Sequence, residues 1–224
     1  MQTFNSISAL FYREYKILFR SFYDILTIII FFILGIFIFI FAIGSDKEIL
    51  EEIGLGIIWT LLLLSTNLSI NKFYHNDFGD GSIFLLHING LSLELIVLIK
   101  LIILWTFYQL PFLIIIPCAY LILNIASENM YLVIITFVLG SPILSALSSI
   151  SGAMNLLNNK NFAIGSIIVM IFSIPVIIFS VAIVNTPPEL IKPQISIMIG
   201  ILFLFIAITP WISSACIRLA LRNK

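Results

Sequence analysis

Six stretches of this chain run for 19 to 31 residues without a charged side chain, and together they hold 151 of its 224 residues. They lie between Asp24 and Asp46, Glu52 and Lys72, Lys100 and Glu128, Glu128 and Lys160, Lys160 and Glu189, and Lys192 and Arg218. A helix needs roughly 20 apolar residues to cross about 30 Å of hydrocarbon, so each stretch is long enough. Backbone in lipid must satisfy its own hydrogen bonds, which leaves helices or a closed barrel. The stretches are continuously apolar rather than alternating, which excludes the barrel. The sequence therefore predicts an all-α integral membrane protein with six transmembrane helices, at about 25–43, 53–71, 97–123, 130–157, 162–184 and 195–217. Composition agrees: 61% of residues are apolar and 10% charged, too little polar surface for a soluble domain of this length.

The distribution of Lys and Arg sets an orientation. Arg13, Lys16, Arg20, Lys72, Lys100, Lys160, Arg218, Arg222 and Lys224 fall on one side, and only Lys47 and Lys192 on the other. Both termini are predicted to be cytoplasmic. The first apolar run is about twice as long as the h-region of a signal peptide, so no cleaved leader is expected. The outer segments 44–52, 124–129 and 185–194 are too short for a folded domain. The organisation predicted is an interfacial segment (1–24), a six-helix domain (25–217) with its longest cytoplasmic loop at 72–94, and a cytoplasmic tail (218–224).

Residues 7–24 have a helical period. Ile7, Phe11, Tyr15, Leu18 and Phe22 fall on one face, and Arg13, Lys16, Arg20 and Asp24 on the opposite one. A basic amphipathic helix before a span reads as an interfacial helix. It is either an elbow that steers the first span or a plain lipid anchor.

The spans carry almost none of the titratable groups that an enzyme or an ion-coupled carrier needs. No catalytic, cofactor or metal residue is assigned. Lys100, near the start of the third span, is expected to snorkel to the interface. His75 and His87 lie in the second loop without zinc spacing. Cys118 and Cys216 read as small buried hydrophobes. The 11 basic and 11 acidic residues cancel, so no nucleic-acid partner is expected. No G-x-x-x-x-G-K-[ST] loop occurs, so energy for active transport must come from a separate subunit. Ser141, Ser145, Ser148 and Gly152 share one face of the fourth helix and predict a packing seam. Pro111, Pro117, Pro142, Pro175 and Pro210 interrupt four of the spans and can bend them.

The second loop carries the most information. After Asp77, Phe78-Gly79-Asp80-Gly81 predicts a turn, Ser82 a helix N-cap, Ile83 to Ile88 a short helix, and Asn89-Gly90 its stop. Ser92 then caps the third span. The short helix is apolar almost all round, so it either packs back on the membrane or docks into a groove on another protein.

Several motifs resemble the CcmB family. They are Gly56-Ile57-Ile58-Trp59, then Phe73-x-x-x-Asp77-x-x-Asp80-Gly81-Ser82, then Leu110-Pro111 and Pro117. Leu139-Gly140-Ser141-Pro142, Ile174-Pro175-x-x-Ile178-Phe179, and Thr209-Pro210 leading to Arg218 follow in order. The resemblance spans nearly the whole chain, and the Asp-x-x-Asp-Gly-Ser loop is its most specific part. The chain departs from the family pattern at Phe84, where a Glu is common, and at Asn89-Gly90, where prolines are usual.

The resemblance implies an ABC-2-like permease, the membrane subunit of the ATP-driven haem exporter of c-type cytochrome maturation. It implies a second copy of the chain and two copies of a CcmA-like ATPase. It also implies CcmC-like and CcmD-like membrane partners and, indirectly, the haem chaperone CcmE. By that likeness Asp77, Asp80, Gly81, Ser82, Ile83, Phe84, Leu85 and Leu86 form the coupling loop that seats in the ATPase. ATP would bind the partner, and haem would be cargo of the complex rather than a cofactor held by this chain. A permease of the same architecture for a lipid, drug or polysaccharide is the alternative. The high Ile, Asn and Phe content suits an AT-rich genome, in a bacterial cytoplasmic membrane or a mitochondrial inner membrane.

Overall fold

The computed structural model of the chain describes residues 2–44, 46–70, 73–123, 125, 129–157 and 163–223. Lys72, Glu128, Lys160 and Lys224, used above to mark spans and orientation, lie outside them. Regular structure among the described residues is helical throughout, and six helices are long and apolar enough to cross a membrane.

α1 (Gln2–Arg20) leads into the first span, α2 (Phe22–Ile43). The two are separated at Ser21, whose ψ of 29° leaves the helical range and whose hydroxyl donates to the Ile17 carbonyl at 3.1 Å. A serine that bonds back one turn bends a helix. α2 turns Ile25, Ile28, Phe32 and Ile36 inward, at helical spacing.

The second span, α3 (Lys47–Ser69), starts at Lys47 rather than at residue 53. The Asp46 carboxylate accepts the N–H groups of Glu48 (3.2 Å) and Ile49 (3.4 Å), and Glu48 sits in the first turn. A capping acid and a first-turn acid both suit the positive end of the helix dipole. The acidic segment expected to be a loop is therefore helix.

The loop that follows holds two short helices, α4 (His75–Gly79) and α5 (Ser82–Ile88). The third span is then built in three pieces: α6 (Leu93–Leu104), a π-helical turn at Trp105–Gln109, and α7 (Phe112–Ile122). Pro111 has no N–H and its ring crowds the carbonyl four residues back. The turn before it widens, and the Leu110 N–H reaches the Trp105 carbonyl at 3.2 Å. The Trp105 indole donates to Ser141 Oγ at 3.0 Å and the Gln109 amide to Thr66 Oγ1 at 2.6 Å, tying the widened turn to both neighbouring spans.

α8 (Met130–Asn155), α9 (Ala163–Asn185) and α10 (Pro188–Arg222) complete the bundle. α10 starts at Pro188 rather than residue 195, because a proline loses nothing at the first helical position. Its 35 residues span roughly 52 Å, well beyond the hydrocarbon thickness.

α3 and α8 form the centre, and α8 packs on α9, α10 and α3. Ser141, Ser145, Ser148 and Gly152 are all buried along α8. Lipid supplies no hydrophobic drive between helices, so close approach over small residues holds them together. A Cβ on Gly140 would stand 2.6 Å from the Trp59 ring, and one on Gly152 would stand 2.8 Å from the Ile70 carbonyl oxygen. Pro117, Pro142, Pro175 and Pro210 lie within helices that continue through them. Cys118 is exposed on α7 and Cys216 is half-buried, so neither is the core residue expected from sequence. An apolar thiol on the outside of a span faces an apolar medium and needs no burial.

Candidate functional site

The loop between the second and third spans is held against the bundle by two polar clusters. Phe73 and Tyr74 turn back inward and are almost fully buried. The Tyr74 hydroxyl lies 2.7 Å from Ser149 Oγ, which lies 3.4 Å from Ser213 Oγ, so the loop, α8 and α10 meet at one point. Burial pushes the Tyr74 phenol above its usual range, and it stays a neutral hydroxyl that can both donate and accept.

The second cluster is a closed ring of four charges. Arg13 donates one guanidinium N–H to Glu14 at 2.5 Å and another to Asp77 at 2.7 Å. The Lys100 ammonium donates to Glu14 at 2.8 Å and also to Asp77. The ring joins α1, α4 and α6. Lys100 stands roughly two turns into α6 and is 2% exposed, so it does not snorkel outward as expected. A buried ammonium needs paired acids, and Glu14 and Asp77 supply them.

Burial alone would raise the Asp77 carboxyl, but Lys100 and Arg13 outweigh it and hold it below the usual carboxylate range. Burial likewise works against the Arg13 cation, and Asp77, Glu14 and Asp80 outweigh it. The depressed Asp77 contributes stability above the unfolded carboxylate pKa, about 3.9, and loses it as pH falls through the lower folded value.

α1 presents Leu10, Glu14 and Leu18 to the bundle at steps of four. Of the predicted interfacial residues, Leu18 faces inward and Arg13 joins the ring, while Phe11, Lys16 and Arg20 stay exposed. Tyr15 and Phe22, expected on the same face as Leu18, are exposed with Phe11. A bilayer rewards an outward apolar face, so the stripe that faces protein is the one carrying the charge.

Asp80, Gly81 and Ser82 make the start of α5. Ser82 was the expected cap, but Gly81 occupies the capping position, with φ +78°, and the Asp80 carboxylate accepts the Ser82 N–H at 2.8 Å. Only glycine adopts that φ without strain. α5 stops at Asn89, with Gly90 at φ +90°, and Ser92 Oγ accepts the Leu95 N–H at 3.3 Å. Ile83 is fully buried and Leu86 packs partly inward, while Phe84, Leu85 and Ile88 are 50%, 60% and 64% exposed. One face of α5 is thus committed to this chain and the other is open. Beyond the loop, Glu94 on α6 accepts from Ser214 at 2.9 Å and Arg218 at 3.1 Å on α10.

Sequence reasoning missed Glu14, Lys100, Tyr74 and Glu94 as members of this platform. Two signals were available: Glu14 falls in phase with Leu10 and Leu18, and Lys100 is a cation embedded in an apolar helix.

The sequence matches the family described as CcmB protein over residues 5–220. The chain belongs to the CcmB family. Among its relatives, heme exporter protein B of Haemophilus influenzae is 30% identical over 213 residues, covering 94% of this chain and 96% of the relative. Heme exporter protein B of Bradyrhizobium diazoefficiens is 28% identical over 216 residues, covering 95% and 97%. That of Pseudomonas aeruginosa is 28% identical over 174 residues, covering 78% of each. The match to the CcmB family takes in most of α1, the charge ring and α5, so the whole platform lies inside it.

Proposed function

We propose that this chain is the membrane subunit through which a separate ATPase drives haem export, or release of a haem-loaded chaperone, in c-type cytochrome maturation. The observation that carries the reading is α5: an apolar helix with one face fixed to the bundle and Phe84, Leu85 and Ile88 left open. An exposed apolar helix face is costly unless a partner covers it, and a helix-in-groove contact suits this one. The two polar clusters join the loop to α1, α6, α8 and α10, so a push on α5 reaches four elements. In this reading two CcmA-like ATPases dock on two copies of the chain. CcmC-like and CcmD-like proteins sit beside them in the bacterial inner membrane or its mitochondrial counterpart, and haem stays with those partners.

Deleting the gene tests the cargo. Every haem-stained c-type cytochrome band is expected to vanish while b-type cytochromes persist, and the restored gene should bring the bands back. Normal c-type bands would remove haem export and leave a permease for another cargo.

Orientation has its own test. With Cys118 and Cys216 replaced by serine, Glu48→Cys is expected to react with an impermeant thiol reagent in intact cells. Asn89→Cys should react only after permeabilisation. The opposite pattern would turn the bundle over and place α5 away from any cytoplasmic ATPase.

A further inference from the structure

The third span is one crossing made of two pieces with different neighbours. α6 packs mainly on α1 and α10 and carries Lys100 of the charge ring, whereas α7 packs on α2, α3 and α8. The π-helical turn at Trp105–Gln109 joins them, and turns of this kind are frequent at functional sites. Past Pro111 the chain resumes through two tight bonds, from the Leu113 N–H to the Leu110 carbonyl (3.0 Å) and from the Ile114 N–H to the Pro111 carbonyl (3.2 Å). Gln109 is 2% exposed and donates its amide N–H to Thr66, but its Oε1 is buried without a hydrogen-bond partner among the described residues. The Ser148 hydroxyl on α8 is also buried and likewise without one.

The register of the helices brings these two atoms to one level. Gly140 meets the Trp59 ring and Gly152 meets the Ile70 carbonyl, so α3 and α8 run parallel at a nearly constant offset, and Thr66 stands level with Ser148. Gln109, held on Thr66, shares that level. A hydroxyl that can donate and an amide oxygen that can accept are thus left over at the same depth. Buried polar groups without partners are destabilising, which favours an arrangement that pairs them. Moving the widened turn along by one residue rotates the residue it passes by about 100° and advances it by roughly 1.5 Å, which carries Gln109 away from one neighbour and toward the other. We propose that this π turn is a hinge between α6 and α7 with Gln109 as its latch. The amide holds Thr66 in the state described, and takes the Ser148 hydroxyl in a second state in which α6 has shifted against α7. A polar cavity of about 50 Å³, lined by Tyr108 and Leu104 together with Glu14, Asp77 and Lys100, connects the turn to the charge ring. A displacement of the loop therefore reaches the hinge through the ring. The hinge follows from the fold, and its use in transport rests on the proposed function.

Hydrogen exchange of the purified full chain in detergent, read by mass spectrometry, tests this. Amides of residues 106–110 are expected to exchange roughly tenfold faster than those of α7, although both are enclosed by the bundle. Ser148→Ala is the decisive variant. The Ser148 hydroxyl bonds to nothing in the state described, so its removal should leave the thermal midpoint unchanged or higher. It also takes away the partner of the second state, and should slow the exchange of 106–110 about fivefold, the worth of one hydrogen bond. Deleting Thr106 together with Pro111→Ala takes out the extra residue and the crowding ring, and should bring that exchange down to the level of α7. Exchange no faster than in α7 for the parent chain, or exchange unchanged by Ser148→Ala, would overturn the proposal. So would fast exchange that persists in a folded deletion variant. Ser148→Ala removes a single unpaired oxygen, so the test stands even if the deletion variant fails to fold. The readout needs neither ATPase nor cargo, so its failure is distinct from a failure of the proposed function.

Discussion

Leu85→Asp is expected to abolish co-purification of the ATPase subunit while the chain still inserts and folds. Leu85 is 60% exposed and lies between Phe84 and Leu86 on α5, beside the open face it shares with Ile88. An exposed position makes few intramolecular contacts, so the folding cost should stay within about 0.5 kcal/mol. A carboxylate pressed into an apolar groove must instead lose its water without a partner. Central apolar anchors of an interface cost about 2 kcal/mol or more when lost, which is roughly 30-fold in affinity and more once a charge is buried. Affinity-tagged chain pulled from membranes would therefore bring no ATPase, and c-type cytochromes would disappear with it. Co-purification at the parent level would show that α5 is not the docking helix.

The charge ring should be the most expensive place in the chain to disturb. Lys100→Met removes the ammonium that pairs Glu14 and Asp77 and leaves Glu14, 3% exposed, with Arg13 as its one remaining cation among the contacts described. Breaking a buried pair on one side costs about 3–5 kcal/mol. Adding Glu14→Leu to Lys100→Met should recover more than half of that loss. The buried acid is then gone, and Arg13 still holds Asp77 at 2.7 Å. Thermal unfolding of the purified chain in detergent reads both steps. An unchanged midpoint for Lys100→Met would mean that the ring does not anchor α1 and α4 to α6.

The spans were legible because charge is costly in hydrocarbon, and the gaps between charges are a direct record of that cost. Their ends were less so. Asp46 and Pro188 extend two helices past the last apolar residue through capping chemistry, which a count of uncharged residues does not register. In α1 the period was visible, and Phe11, Tyr15 and Phe22 were grouped with Leu18 on one face of an interfacial helix, but Leu18 turns to the bundle while the three aromatics stay exposed. Against lipid, the face that matters is the one whose polar side chains can find partners, and Glu14 marked it. Asp77 stood out in the loop motif, yet its partners come from residues 13 and 100, on elements that only the fold brings together. The exposed face of α5 lay within a run apolar on every side. Nothing in that run told Ile83, fully buried, from Leu85.

Two cations and two anions close the ring of Arg13, Glu14, Asp77 and Lys100, so the unit that ties α4 to α1 and α6 is electrically neutral. A lone charge carried across a membrane potential of about 100 mV gains or loses about 2.3 kcal/mol. A neutral ring displaced as one body gains or loses nothing. For the ring itself, a displacement as one body would therefore cost the same in an energised membrane as in a collapsed one.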